Sequence, residues 1–297
     1  MEDKILETKE VKKSYRKREV LHNTNFVLKK GEIYGLIGRN GAGKTTFMKL
    51  VTGLIKPTSG EVLFYDCSRT DIGALIENPG VYLNLSAYDN MKIKAILVGA
   101  EKNKIIELLE LVGLKECKSI KVSKFSLGMK QRLSIALALL GNPKILLLDE
   151  PINGLDPQGI SEIRNLIIRI NKEKNITVLI SSHILSELGL VCSRFGFIED
   201  GNFFMDISRE KLELNCCKQI IVLKDDNTDK LIEYLNELRT VYELYEKKVK
   251  IYIQEENETK VEAFIDNLGL SIINMFEKKS LEDFYFKITE RNLDYNV

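Results

Sequence analysis

The sequence predicts an α/β protein with a mixed, mostly parallel sheet, a helical subdomain and a small C-terminal α+β appendage. Three observations predict it. Short apolar runs bounded by turn residues alternate with stretches of helical periodicity through the first two thirds of the chain, and strands separated by crossover helices imply parallel pairing. One apolar run, Ile33-Tyr34-Gly35-Leu36-Ile37, passes straight into a glycine-rich turn and then a helix-like stretch that stops at Gly53. Past about residue 215 the pattern changes to a shorter strand–helix alternation.

Bulk properties agree with one large domain and one small one, and 297 residues suffice for both. The boundary is expected between 1–214 and 215–297. Hydrophobic residues are 44% and charged residues 29%, as in ordinary soluble globular proteins. The formal net charge is +1, and the densest basic stretch (Lys12, Lys13, Arg16, Lys17, Arg18) is flanked by Glu10 and Glu19. Nucleic acid as a partner therefore has no electrostatic support. Five cysteines without C-x-x-C spacing fit reduced thiols rather than a zinc site. The opening residues hold no apolar signal core, and no run of about 18 apolar residues occurs.

In chain order, Asn25-Phe26-Val27-Leu28 alternates like a half-buried strand and turns at Lys29-Lys30-Gly31. Pro57-Thr58-Ser59-Gly60 is a turn before a strand at 61–66, and Ile72-Gly73-Ala74-Leu75-Ile76 reads as another, cut off by Glu77-Asn78-Pro79-Gly80. A helical subdomain is expected over about 81–142, where Ile105, Leu108, Leu109 and Val112 recur at helical spacing and a later helix covers 129–140. Then follow a strand at 145–148, a helix at 157–172, a strand at 177–180, a short helix near 185–188 and a hairpin turning at Asp200-Gly201. In the appendage, strands at 219–223 and 249–253 alternate with amphipathic helices at 229–238 and around Val261, Phe264, Ile265 and Leu268, and a helix closes at 280–289. This resembles a split βαβ arrangement.

Gly38-Arg39-Asn40-Gly41-Ala42-Gly43-Lys44-Thr45-Thr46 carries the pattern G-x-x-x-x-G-K-[ST] between that strand and that helix, the context the pattern needs. Glycines let successive N–H groups turn around an anion, and the helix N-terminus adds partial positive charge. Lys44 is placed to reach β- and γ-phosphates and the Thr45 hydroxyl to ligate Mg²⁺. These residues imply nucleoside triphosphate binding.

Ile145-Leu146-Leu147-Leu148-Asp149-Glu150-Pro151 is a continuous apolar run ending in two carboxylates. Side chains alternate along a strand, so the two acids take different jobs. Asp149 suits the Mg²⁺ shell, and Glu150 suits a general base for attacking water. Two solvated acids capping a buried strand is the plainer alternative. Upstream, Phe125-Ser126-Leu127-Gly128-Met129-Lys130-Gln131-Arg132 places a capping serine before a helix.

At this point the chain resembles the ATP-binding cassette family, whose signature segment reads Leu-Ser-Gly-Gly-Gln before a helix. Ser126 and Gly128 match it; Phe125, Leu127 and Met129 do not. The resemblance covers roughly residues 5–211. It implies a P-loop NTPase cassette with ATP and Mg²⁺ as cofactors and ATP hydrolysis as the activity. It makes Asn153-Gly154-Leu155-Asp156-Pro157 the dimer-contact loop, His183 in Ser181-Ser182-His183 the switch histidine, and Tyr15 the aromatic that stacks on adenine. A tyrosine merely ending a strand and a structural histidine are the plainer readings of the last two. The chain has one phosphate loop and one signature, so the resemblance implies a second cassette as partner. Two copies would pair head to tail, Ser126 and Gly128 of one facing the ATP of the other. Separate transmembrane permease subunits, docked near 77–82, would hold the chain at the cytoplasmic face of the membrane.

One departure is informative. The family usually has glutamine where this chain has Glu77. A carboxylate there can still ligate Mg²⁺ and orient water, but it adds negative charge beside Asp149 and Glu150. That glutamate, together with Ser126-Leu127-Gly128-Met129-Lys130-Gln131, resembles the branch exporting bacitracin and lantibiotic-type peptides; drift in a cassette of other cargo is the alternative. A soluble cassette ATPase acting on ribosomes or DNA is a rival without the tandem cassettes or long insertions usual there. A small-molecule kinase would leave Ser126, Gly128 and His183 unexplained.

Overall fold

The computed structural model describes residues 3–16, 18–77 and 80–294, with side chains described as far as Glu290. Asn78 and Pro79, part of the expected turn and docking segment, lie outside the described residues. The chain divides into two compact units, one ending at Ser208 and one beginning at Arg209.

The first unit opens with β1 (Lys4–Tyr15) and β2 (Arg18–Lys29), a long antiparallel pair. Then come β3 (Ile33–Ile37), α1 (Lys44–Thr52) and β4 (Ser59–Phe64). β4 pairs with β1, closing a three-stranded sheet in the order β2-β1-β4. β1 was not marked as a strand by its sequence, because charged and polar residues interrupt its alternation. Its Leu6, Thr8 and Val11 are nonetheless buried.

Next stand β5 (Ile72–Leu75) and the helices α2 (Ala87–Val98), α3 (Lys102–Leu111) and α4 (Leu127–Leu139). The unit finishes with β6 (Ile145–Asp149), α5 (Pro157–Lys174), β7 (Thr177–Ser182), α6 (Leu185–Gly189), β8 (Arg194–Glu199) and β9 (Asn202–Ser208). These strands form a six-stranded sheet in the order β5-β6-β7-β3-β8-β9. Its pairs are parallel except β8 with β9, the mixed, mostly parallel sheet expected. β3 and β6 are buried along their whole length, as their near-continuous apolar runs require, and β7 is buried with its polar Thr177, Ser181 and Ser182 included.

The core lies between the two sheets, where Leu6, Leu21 and Phe26 meet Tyr34, Phe47 and Leu147. Register then positions the site. Asp149 lies opposite Ser181 and Ile37 opposite Ser182. The carboxyl ends of β3, β6 and β7 therefore finish at one rim, where such sheets bind ligands.

The second unit contains α7 (Arg209–Cys216), β10 (Lys218–Leu223), α8 (Thr228–Glu237), β11 (Val241–Leu244), β12 (Lys248–Ile253), α9 (Glu258–Leu268), β13 (Ile272–Phe276) and α10 (Leu281–Asp294). The boundary expected after residue 214 falls inside α7. The sheet is antiparallel throughout, in the order β11-β12-β10-β13, so β10 to β13 trace a βαββαβ path. Ile220, Val222, Val249 and Ile251 face Leu231 and Leu235 of α8 and Val261 and Ile265 of α9. The strands β11 and β13 escaped sequence reading because most of their side chains are exposed.

Candidate functional site

α1 starts at Lys44 behind Gly43, whose φ of 110° is left-handed backbone that glycine adopts without strain. Gly43 offers no side-chain cap, so no side chain covers the first N–H groups of α1. Gly38 is required for another reason: a Cβ there would lie 2.4 Å from the Ile198 carbonyl oxygen. The loop therefore approaches β8 more closely than any side chain permits.

A cleft of about 530 Å³ opens beside this loop. Arg39, Asn40, Gly41, Gly43, Lys44, Thr45 and Thr46 line it together with Tyr15 and Glu150. Arg18 and Val20 also line it; Arg18 stood out in the sequence only as part of a basic stretch, and Val20 not at all. The volume falls in the range of small-molecule sites. Tyr15 is 46% exposed, and Lys13 Nζ lies over its ring, 4.9 Å from the centroid.

The carboxylates at the end of β6 have separate partners. Thr45 Oγ1 donates to Asp149 Oδ2 at 2.7 Å, and Ser181 Oγ donates to Asp149 Oδ1 at 2.6 Å. Asp149 is buried, and both its oxygens are held. Glu150 sits at φ 48°, a conformation that costs a non-glycine residue about 1 kcal/mol or more. Its N–H donates to Ser181 Oγ at 3.0 Å and to the Ser181 carbonyl at 3.2 Å. Ser181 thus fixes both acids, a role its sequence did not reveal.

Glu150 Oε2 lies 2.8 Å from His183 Nδ1. A carboxylate only accepts, so Nδ1 carries the proton and Nε2 is left for a second partner. Lys44 Nζ lies 3.1 Å from Glu150 Oε1, while its protons go to the carbonyls of Gly38 at 2.5 Å and Arg39 at 3.2 Å. That contact is a charge pair without hydrogen-bond alignment, since Oε1 has no hydrogen-bond partner.

Not every candidate joins this group. Glu77 Oε1 accepts from Lys49 Nζ of α1 at 2.5 Å, and its side chain is 59% exposed. Ser126 caps α4, its Oγ accepting from Met129 N at 3.2 Å. Neither Ser126 nor Gly128 lines the loop cleft. Leu127 and Gly128 instead lie against the 153–157 loop: a Cβ on Gly154 would meet Leu127 Cδ2 at 3.2 Å, and one on Gly128 would meet Leu155 Cδ2 at 3.7 Å. Asp156 caps α5 through Gly159 N at 2.9 Å, with Pro157 opening the helix.

The donor set suits Mg²⁺. Thr45 and Asp149 offer one hydroxyl and one carboxylate, and among the described residues no group of three or more His, Cys, Asp or Glu could hold a metal alone. Mg²⁺ is usually held by one or two carboxylates with substrate phosphates completing its shell. Among the described residues no helix is long and apolar enough to cross a membrane.

Comparison with known proteins places this geometry in a family. The family described as ABC transporter matches residues 21–153. The lantibiotic transport ATP-binding protein SrtF of Streptococcus pyogenes is 49% identical over 207 residues, covering 68% of this chain and 90% of that protein. The bacitracin transport ATP-binding protein BcrA of Bacillus licheniformis is 39% identical, covering 96% of this chain and 97% of its own length. Among solved structures, the ATP-binding cassette MJ0796, a dimer bound to ADP and Pi, is 27% identical, with a TM-score of 0.63 over 69% of this chain and 99% of that one. CbiO1 of Clostridium perfringens, part of the transporter complex cbiONQ, is 26% identical with a TM-score of 0.65, covering 80% and 97%.

Proposed function

The chain belongs to the ATP-binding cassette transporter family and is an ATPase; from that membership we propose that it powers a multi-component exporter clearing a peptide antibiotic, or a related amphipathic molecule, from the membrane. The observation that carries the catalytic part is the meeting of Lys44, Thr45, Asp149, Glu150 and His183 at one rim. The likeness to lantibiotic and bacitracin transport proteins supports the cargo.

In this reading Lys44 and the N–H groups of the 38–46 loop hold the β- and γ-phosphates of ATP. Tyr15 stacks on the adenine. Thr45 and Asp149 hold Mg²⁺, which when bound neutralises charge on the phosphate oxygens. Glu150 takes the proton of the attacking water. His183, bonded to Glu150 through Nδ1, orients that carboxylate and has Nε2 available for the γ-phosphate. Ser126 and Gly128 serve the ATP held by a second copy, so two cassettes close on two nucleotides. Closure would pull on separate permease subunits at the cytoplasmic face of the membrane.

Lys44→Ala tests the reading in cells carrying the complete transporter. Resistance to the exported peptide should fall to that of a strain lacking the chain, and the purified variant should lose ATP hydrolysis. Retained resistance with lost hydrolysis would break the link to export.

A further inference from the structure

The second unit has its own cavity, on the sheet face opposite α8 and α9. Side chains alternate across a strand. With Val249 and Ile251 buried against the helices, Lys248 and Lys250 of β12 face the other way, as Ile221 of β10 does between Ile220 and Val222. Here a cavity of about 420 Å³ is lined by Lys248, Lys250, Lys279 and Lys287. Its apolar lining is Ile221, Phe276, Phe284 and Ile288, the last two from α10.

The charge is the informative part. Across residues 209–297 the sequence holds 14 Lys and Arg against 19 Asp and Glu. An acidic unit has nevertheless gathered four lysines around one cavity, with Glu277 the one carboxylate among the described lining residues. Two other lysines of the unit are matched to acids: Lys218 lies 2.8 Å from Glu258 and 2.5 Å from Glu262, and Lys278 lies 2.8 Å from Glu255. Lys248 and Lys250 lie instead over aromatic rings, 5.2 Å from the Tyr245 centroid and 4.5 Å from that of Tyr252. Such contacts hold an ammonium more weakly than a charged acceptor would. The Tyr245 hydroxyl, at 2.6 Å, holds the Glu243 carboxyl below its ordinary range, with a smaller contribution from Lys250, its partner across the strands.

Like charges gathered beside an apolar lining repel one another unless an anion joins them, and the cavity volume is that of a small-molecule site. The geometry points to a binding site for a small anionic amphiphile: one carboxylate or phosphate held by Lys248 and Lys250, with a hydrocarbon or aromatic body against Ile221, Phe276, Phe284 and Ile288. The occupant is a free molecule rather than a bilayer lipid. An apolar body must enter between sheet and helix, whereas a lipid in a bilayer offers only its headgroup. All the lining residues of this site belong to the second unit, and the proposal does not rest on the reading given to the ATP cleft.

Calorimetry on the full chain tests it with octyl phosphate below its micellar concentration, with 1-octanol and with phosphatidylglycerol vesicles. Octyl phosphate should bind saturably at one site, and octanol about tenfold more weakly or worse, because a charged hydrogen bond is lost. Lys248→Gln with Lys250→Gln should lose about tenfold or more in affinity while ATP hydrolysis stays unchanged. Lys248→Arg with Lys250→Arg should keep binding. Equal affinity for octanol, unchanged binding by the glutamine variant, binding to vesicles alone, or no saturable heat would each overturn the proposal.

Discussion

Lys44 Nζ lies 3.1 Å from Glu150 Oε1, so the cation of the phosphate loop and the carboxylate after β6 are paired with each other. Both are largely buried, their side chains 6% and 20% exposed. A γ-phosphate entering the loop competes with Glu150 for that ammonium and thereby releases the carboxylate toward water. Glu150→Gln removes the competitor as well as the base. It should abolish hydrolysis yet bind ATP about tenfold more tightly, the value of roughly 1.4 kcal/mol from a partly buried pair. Equilibrium binding of a fluorescent ATP analogue checks this, and weaker binding by the variant would refute the competition.

Ser181→Ala should raise the Mg²⁺ concentration needed for half-maximal hydrolysis several-fold. Ser181 is one of two donors holding Asp149, and it also anchors the strained backbone of Glu150. Losing a buried hydrogen bond to a charged group costs about 1.5–3 kcal/mol. A Mg²⁺ titration of ATPase rate reads the effect, and an unchanged curve would remove Ser181 from the site.

The loop and both acids were legible because local chemistry alone demands them: Gly38 and Gly43 have no substitute there, and Asp149-Glu150 ends a run too apolar to lie anywhere but the sheet. Ser181 was not legible as a partner of Asp149, because that contact depends on the register of β6 against β7 across 32 residues. The same holds for Glu77, whose partner Lys49 lies 28 residues away on α1. β1 and β13 were missed for a related reason. Their pairing is decided by neighbouring strands while their own side chains lack a clean alternation.

Glu77→Gln keeps the shape but removes the charge that Lys49 neutralises. ATP binding should persist, while the Mg²⁺ dependence of hydrolysis or its coupling to peptide resistance changes. Purified ATPase rates across a Mg²⁺ titration, set beside resistance in cells carrying the whole transporter, measure both. Identical curves and identical resistance would make the glutamate a neutral replacement.

Gly196→Ala should destabilise the first unit. A Cβ there would fall 2.2 Å from the Tyr34 hydroxyl, which donates to Asp206 at 2.9 Å beneath the phosphate-loop strand. Overpacking of this kind costs about 1–3 kcal/mol. Adding Tyr34→Phe removes the nearest clashing atom and should recover part of the loss in thermal unfolding. No loss in the single variant, or no recovery in the pair, would show that β3 and β8 have room to separate.

In the proposed function ATP is held between the phosphate loop of one copy and Ser126 and Gly128 of another. Sedimentation velocity of Glu150→Gln, with and without Mg²⁺ and ATP, tests it most directly. The 34.0 kDa chain should sediment as a monomer alone and as a dimer with ATP, and adding Lys44→Ala to the same chain should abolish the dimer. A chain that stays monomeric at saturating ATP, or dimerises equally without it, would contradict the account.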